Sequence, residues 1–236
     1  VLTLGLAHDV LFPALAGGPA LTLVKWGLAA LMVLPPAICL GTTFPLMSAA
    51  LLRHAPARPG RTLALLYFTN SLGAALGALT AGFVLVAWVG LPGAVFTAGL
   101  MSICVALAAW GIAGRLSERG SPAPEVAAPQ RITDDGGRLW RLLLAVSFGT
   151  ALASFIYEIA WIRMLSLVLG SATHSFELML SAFIFGLAFG SLFMYRRADE
   201  SQQPLRELAL IQWCMGLAAL LTLPVYLQSF EWTEAQ

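Results

Sequence analysis

The 236-residue chain is 59% hydrophobic and 11% charged, where a soluble globular domain carries about 25% charged residues. Mean hydropathy is +0.83. This is the composition of a polytopic membrane protein, and a net charge of +1 leaves no electrostatic case for nucleic acid.

The three cysteines, Cys39, Cys104 and Cys214, lie far apart in apolar runs. They form neither a CxxC nor a Cys/His cluster, so they read as small packing residues, with no metal site and no disulfide framework. The chain starts at Val1 and ends in Glu231-Trp232-Thr233-Glu234-Ala235-Gln236, and it is expected to be an internal piece of something longer. The apolar start is therefore not taken as a signal peptide. Residues 1–22 are expected to be a truncated outward-facing segment.

The first charge-free run, Trp26 to Leu52, predicts the first membrane span. Pro35-Pro36 and Gly41-Thr42-Thr43-Phe44-Pro45 interrupt it. Each proline removes a backbone donor, so kinks are expected, and broken helices build binding sites in transporters. Thr62 to Gly114 then holds no charge over 53 residues, enough for two helices of about 20–25 residues, with Gly90-Leu91-Pro92-Gly93 as the turn between them. Thr43 and Asn70 both fall roughly 12–14 Å into the membrane. They form a candidate interhelical polar pair. Gly73 and Gly77, and later Gly186 and Gly190, form small-residue stripes on which helix backbones are expected to approach closely.

Residues 115–138 are polar and Pro-rich, without hydrophobic periodicity. They predict a flexible linker that separates a three-helix segment at 23–114 from a second at 139–228. Asp134-Asp135-Gly136-Gly137 follows no apolar strand and is no nucleotide site. The last three spans are expected at about Leu142–Leu169, Ala172–Tyr195 and Leu205–Leu227, followed by a truncated outward-facing end at 229–236.

Arg53, Arg58 and Arg61 follow the first span. Arg115, Arg119, Arg131, Arg138 and Arg141 surround the linker, and Arg196, Arg197 and Arg206 precede the last span. Of the 13 basic residues only Lys25 and Arg163 lie elsewhere. The positive-inside rule puts these loops, and the linker at 115–138, on the cytoplasmic side.

Tyr157-Glu158-Ile159-Ala160-Trp161-Ile162-Arg163 carries the chemistry. A charge in hydrocarbon costs roughly 2.5–3.5 kcal/mol on insertion scales. Counted from Leu142, Glu158 lies about 24 Å up and Arg163 about 31 Å up, in a core about 30 Å thick. Arg163 can snorkel to the interface, and Trp161 suits an aromatic belt. Glu158 has no such escape. His174 and Glu177 open the next span at a matching depth, so Glu158, Glu177, His174 and Arg163, with Tyr157 and Trp161, form a candidate buried cluster. Two carboxylates in one low-dielectric site call for a shared proton or a compensating cation. No nucleophile–base pair is present, so no residue is assigned a catalytic role.

These residues resemble a known family. Phe155-Ile156-Tyr157-Glu158-Ile159-Ala160-Trp161-Ile162-Arg163-Met164-Leu165-Ser166-Leu167-Val168-Leu169-Gly170, then Phe183-Ile184-Phe185-Gly186-Leu187-Ala188-Phe189-Gly190-Ser191, is similar to the opening helices of bacterial fused major-facilitator/spermidine-synthase membrane proteins. So are Leu34-Pro35-Pro36 through Leu46 and Leu65-Leu66-Tyr67-Phe68-Thr69-Asn70-Ser71-Leu72-Gly73. The resemblance implies a major-facilitator-like bundle of six transmembrane helices, made of the second half of one six-helix unit and the first half of the next, in a bacterial inner membrane. It also implies a soluble aminopropyltransferase-like domain elsewhere in the protein. Such a domain binds decarboxylated S-adenosylmethionine and putrescine; this stretch has no cofactor of its own. The implied partners are the bilayer, the remaining helices and soluble domain, and a polyamine or other cationic small molecule that meets the acidic cluster. A passive scaffold for the enzyme domain, or a secondary transporter without one, are the alternatives.

Overall fold

The computed structural model describes residues 19–118, 134–169 and 172–234. Helix α1 spans Pro19–His54 and α2 Pro59–Thr80. A π turn, Ala81–Leu85, joins α2 to α3, Val86–Glu118. Then follow α4, Asp134–Leu169, α5, Ala172–Met194, and α6, Pro204–Glu234. Among the described residues there is no strand. The chain divides into two compact units, Val1–Pro56 and Ala57–Gln236.

The first unit is described by α1. Its 36 residues run as one helix through Pro35, Pro36 and Pro45, so the expected interruptions are absent. In lipid every freed backbone group needs another partner, which favours keeping all the helical bonds that the prolines leave available. The Thr42 and Thr43 hydroxyls add to them, donating to the Cys39 and Leu40 carbonyls at 2.7 Å each.

In the second unit α2 begins with Pro59 in its first turn, where a missing N–H costs nothing. Its preceding residue, Arg58, supplies no side-chain cap. The cap comes from a distant residue instead. Asp199, in the turn after α5, accepts from the Gly60 N–H at 2.7 Å and the Arg61 N–H at 2.8 Å. A carboxylate at the positive end of a helix satisfies orphan donors and the helix dipole together. Asp199→Ala should therefore lower stability by about 1–2 kcal/mol, read as a fall in thermal midpoint; Asp199→Asn should recover part of it.

From that anchored end α2 and α5 run antiparallel. The Ser191 hydroxyl donates to the Ala64 carbonyl at 2.6 Å, and further along Gly82 meets Glu177. Small residues dominate the buried positions: Ala64, Ser71 and Ala75 on α2 and Ser175, Ser181 and Ala188 on α5 are buried, together with the larger Leu66 and Met179. The glycine stripes are not part of it. Gly73, Gly77, Gly186 and Gly190 have no neighbour within 4 Å of where a side chain would start. Two residues of helix turn the chain by about 200°, so burying Ser71 and Ala75 points Gly73 and Gly77 away. On α5 the buried Ser181 hydroxyl is satisfied within its own helix, donating to the Glu177 carbonyl at 2.7 Å.

Helix α4 packs on α5 and on α6. Two hydrogen bonds hold α6 to α4: Gln212 Nε2 donates to Thr150 Oγ1 at 2.5 Å, and Trp161 Nε1 to Thr222 Oγ1 at 3.4 Å.

Helix α3 breaks at Gly90, with φ 70° and ψ 176°, a conformation open essentially to glycine alone. The break falls within the tetrapeptide read as a turn. Pro92 follows in the new helical leg. Beyond it every residue from 98 to 115 is exposed. Helix α3 reaches Glu118 and α4 starts at Asp134, so helices enter the 115–138 stretch from both sides. The rest of that stretch, residues 170 and 171 and the segment before Pro19 lie outside the described residues.

Five helical stretches are long and apolar enough to cross a membrane: Thr22–Arg53, Pro59–Arg115, Gly137–Leu167, Thr173–Met194 and Pro204–Pro224. Large apolar side chains cover their outer faces, Trp88 at 83% exposure and Trp110 at 81% among them. No soluble protein tolerates so much apolar surface. The chain is a multi-pass, integral membrane protein whose helices face the lipid bilayer.

Candidate functional site

Glu158 lies on the inner side of α4, half-buried. It is the one charged residue on the wall of a cavity of about 580 Å³. Helix α4 forms the floor through Leu143, Val146, Ser147, Thr150, Ala151, Ser154, Phe155 and Glu158, a run with helical spacing. From Leu143 to Glu158 the groove extends about 22 Å along α4. Phe183 and Leu187 of α5, Leu208 and Gln212 of α6 and Tyr67 of α2 close the sides. Helix α4 thus places Glu158 at one end of an apolar trough, with hydroxyls at Ser147, Thr150 and Ser154 spaced along it. Gln212 and Thr150 are already paired across the trough, and Thr150 donates on to the Val146 carbonyl at 2.8 Å.

The aromatic residues of the motif stand beside Glu158. Tyr157 and Trp161, one turn apart, stack with ring centroids 5.6 Å apart. Trp161 also meets Phe183 edge-on at 6.4 Å. Since its indole N–H bonds to Thr222, Trp161 joins three helices. Trp161, one of the candidate cluster, thus works as a rivet beside the cavity. Arg163 is exposed, five residues beyond Glu158 and about 140° round the helix.

His174 and Glu177 form a separate site. His174 Nδ1 and Glu177 Oε2 are 3.1 Å apart, and the Glu177 side chain is 14% exposed. The carboxyl rests against Gly82, in the space a Cβ would occupy. Gly82 belongs to the π turn, closed by the Val86 N–H bonding to the Ala81 carbonyl, one residue further back than in an α-helix. Phe83, next in that turn, stacks on the His174 ring at 5.3 Å. Glu177 points to the π turn, roughly 100° round α5 from Phe183 and Leu187. Among the described residues no hydrogen bond or ion pair joins Glu158 to Glu177, His174 or Arg163. The structure brings together His174 with Glu177 and Tyr157 with Trp161, and leaves Glu158 alone on its cavity.

Gly82→Ala should displace the Glu177 carboxylate and lower stability by about 1 kcal/mol or more. Combined with Glu177→Ala, the same change should cost little further, because the obstructing group is gone. A double-mutant cycle of thermal midpoints measures this coupling.

Thr43 and Asn70 fall in different compact units. The Thr43 hydroxyl bonds within its own helix, and Asn70 is exposed on α2. Among the described residues no three of His, Cys, Asp or Glu gather to hold a metal ion. The cavity residues contributed from other helices, Tyr67 and Gln212, and Thr150 on α4 itself escape a reading of the sequence because nothing local marks them. The π turn escapes it too. A glycine followed by an aromatic residue in an apolar run was its one trace.

Comparison with models of known protein families, with curated proteins and with solved structures gives no match to any.

Proposed function

We propose that this chain is the membrane region of a spermidine-synthase-like protein of major-facilitator type, and that its α4–α5–α6 cavity seats an organic cation such as a polyamine. The single observation that carries the cation reading is Glu158. It offers a carboxylate with no ion-pair partner among the described residues, on the wall of an otherwise uncharged trough. A half-buried carboxylate on an apolar wall gains from a counter-charge, and a bound ammonium group supplies one. The trough's apolar length suits the methylene stem of a polyamine, and its hydroxyls suit further amine N–H groups.

The sequence motifs around Glu158, Phe183 and Tyr67 support the family reading. A helix of 57 residues would extend about 85 Å, far beyond a bilayer core of about 30 Å. Two crossings on either side of Gly90 would bring the number of spans to six, in line with that reading. The basic loops would face the cytoplasm, and an aminopropyltransferase-like domain would lie on that side in the full-length protein.

Calorimetric titration of the purified protein in nanodiscs tests the cation site. Spermidine should bind, and its triacetylated, uncharged analogue should not. Equal binding of the two, or binding of neither, overturns the assignment.

A further inference from the structure

We propose that a second cavity, at the basic end of the second unit, binds a phosphate group, supplied either by an anionic lipid headgroup or by a soluble phosphate. The cavity measures about 550 Å³ and is lined chiefly by Arg58, Arg61, Tyr195, Arg196, Asp199 and Glu200. Three guanidinium groups from two separate turns converge there with two carboxylates. The near balance of charge hides an imbalance of partners. Both oxygens of Asp199 are engaged by the Gly60 and Arg61 backbone N–H groups, so its charge serves the start of α2. Glu200 alone is left to answer three arginines.

The arginines themselves are uncommitted. Arg61 lies over the Tyr195 ring, 4.3 Å from its centroid. A cation over a ring is attracted to the ring face and still keeps N–H groups to donate elsewhere. Arg58 and Arg196 make no side-chain hydrogen bond or ion pair among the described residues. A guanidinium edge matches two oxygens of a phosphate, and two such edges beside an oriented third make a phosphate cradle. The cavity lies where α5 has just ended, at Met194, and where α2 is about to start, at Pro59. Both helices are apolar from there onward. This is the level at which hydrocarbon gives way to headgroups, and anionic headgroup phosphates are concentrated there.

The intact chain, in a neutral detergent, is titrated with short-chain phosphatidylglycerol, with phosphatidylcholine of equal chain length, and with inorganic phosphate, and the thermal midpoint is read. Phosphatidylglycerol should raise the midpoint, whereas phosphatidylcholine should not. Arg58→Gln/Arg196→Gln should need roughly 30-fold more phosphatidylglycerol for the same shift. Neither side chain carries a bond in the fold, so its midpoint without ligand should match wild type. Glu200→Gln, which removes the competing acid, should need less lipid than wild type. If inorganic phosphate reproduces the shift with the same dependence on the arginines, the phosphate is soluble in origin; if only the lipid does, it is a headgroup. Either result supports the site. An equal response in wild type and the double arginine variant, or no response to any phosphate, overturns it.

Discussion

Glu158→Gln should weaken polyamine binding at least 30-fold while leaving the thermal midpoint of the unliganded protein unchanged or higher. The two effects have opposite signs for one reason. An ionised carboxylate on an apolar wall is costly until a cation arrives, so the neutral isostere removes a cost from the empty protein and the main attraction from the filled one. Losing one partner of a desolvated charge pair costs about 2–5 kcal/mol of binding, and 2 kcal/mol corresponds to roughly 30-fold. Glu177→Gln supplies the contrast. It weakens the contact with His174, so it should lower the midpoint slightly and leave the affinity alone. Paired calorimetry and thermal scans of both variants decide the matter: a midpoint that falls in Glu158→Gln with affinity intact would make this residue a structural one, as a passive scaffold requires.

Gly90→Ala should be strongly destabilising, costing about 1–3 kcal/mol. Its φ of 70° combined with a ψ of 176° lies outside the range that a residue with a Cβ adopts at low cost. The turn would have to open, and the two apolar legs would depart at a different angle. Gly99→Ala is the control. That glycine is helical, has open space around it, and should gain up to about 1 kcal/mol from helix propensity. Equilibrium unfolding of both variants in mixed micelles should therefore show shifts of opposite sign.

Much of the fold was legible in the sequence, because membrane helices announce themselves by length and lack of charge. The apolar runs placed the helices, and the Gly90 tetrapeptide marked the break. What failed was anything depending on which face of a helix meets which neighbour. Gly73 and Gly77 have the spacing of a packing stripe, but Ser71 and Ala75 share that spacing and also bring a hydroxyl. Spacing alone does not choose between them. The candidate cluster shows the same limit. Depth along the helix axis put Glu158 beside Glu177, and depth is the one coordinate a residue count supplies. Rotation about the axis turned Glu177 to Gly82 and Glu158 to the cavity. Nothing in the sequence around Asp199 reveals that Gly60 and Arg61, the first of them 139 residues upstream, donate to its oxygens.

The wide turn at Ala81–Leu85 has the form of an insertion that a helix absorbed without breaking. One extra residue in a 3.6-residue cycle advances the phase of everything downstream by about 100°. The same length of chain therefore serves two registers: residues before the turn keep their small-residue face on α5, while Phe83 within it reaches the imidazole. Deleting one residue there would restore regular winding and keep the hydropathy profile, yet it would force a choice between those registers. In this molecule a single residue sets helical phase, a property that a profile of apolar and polar positions does not record.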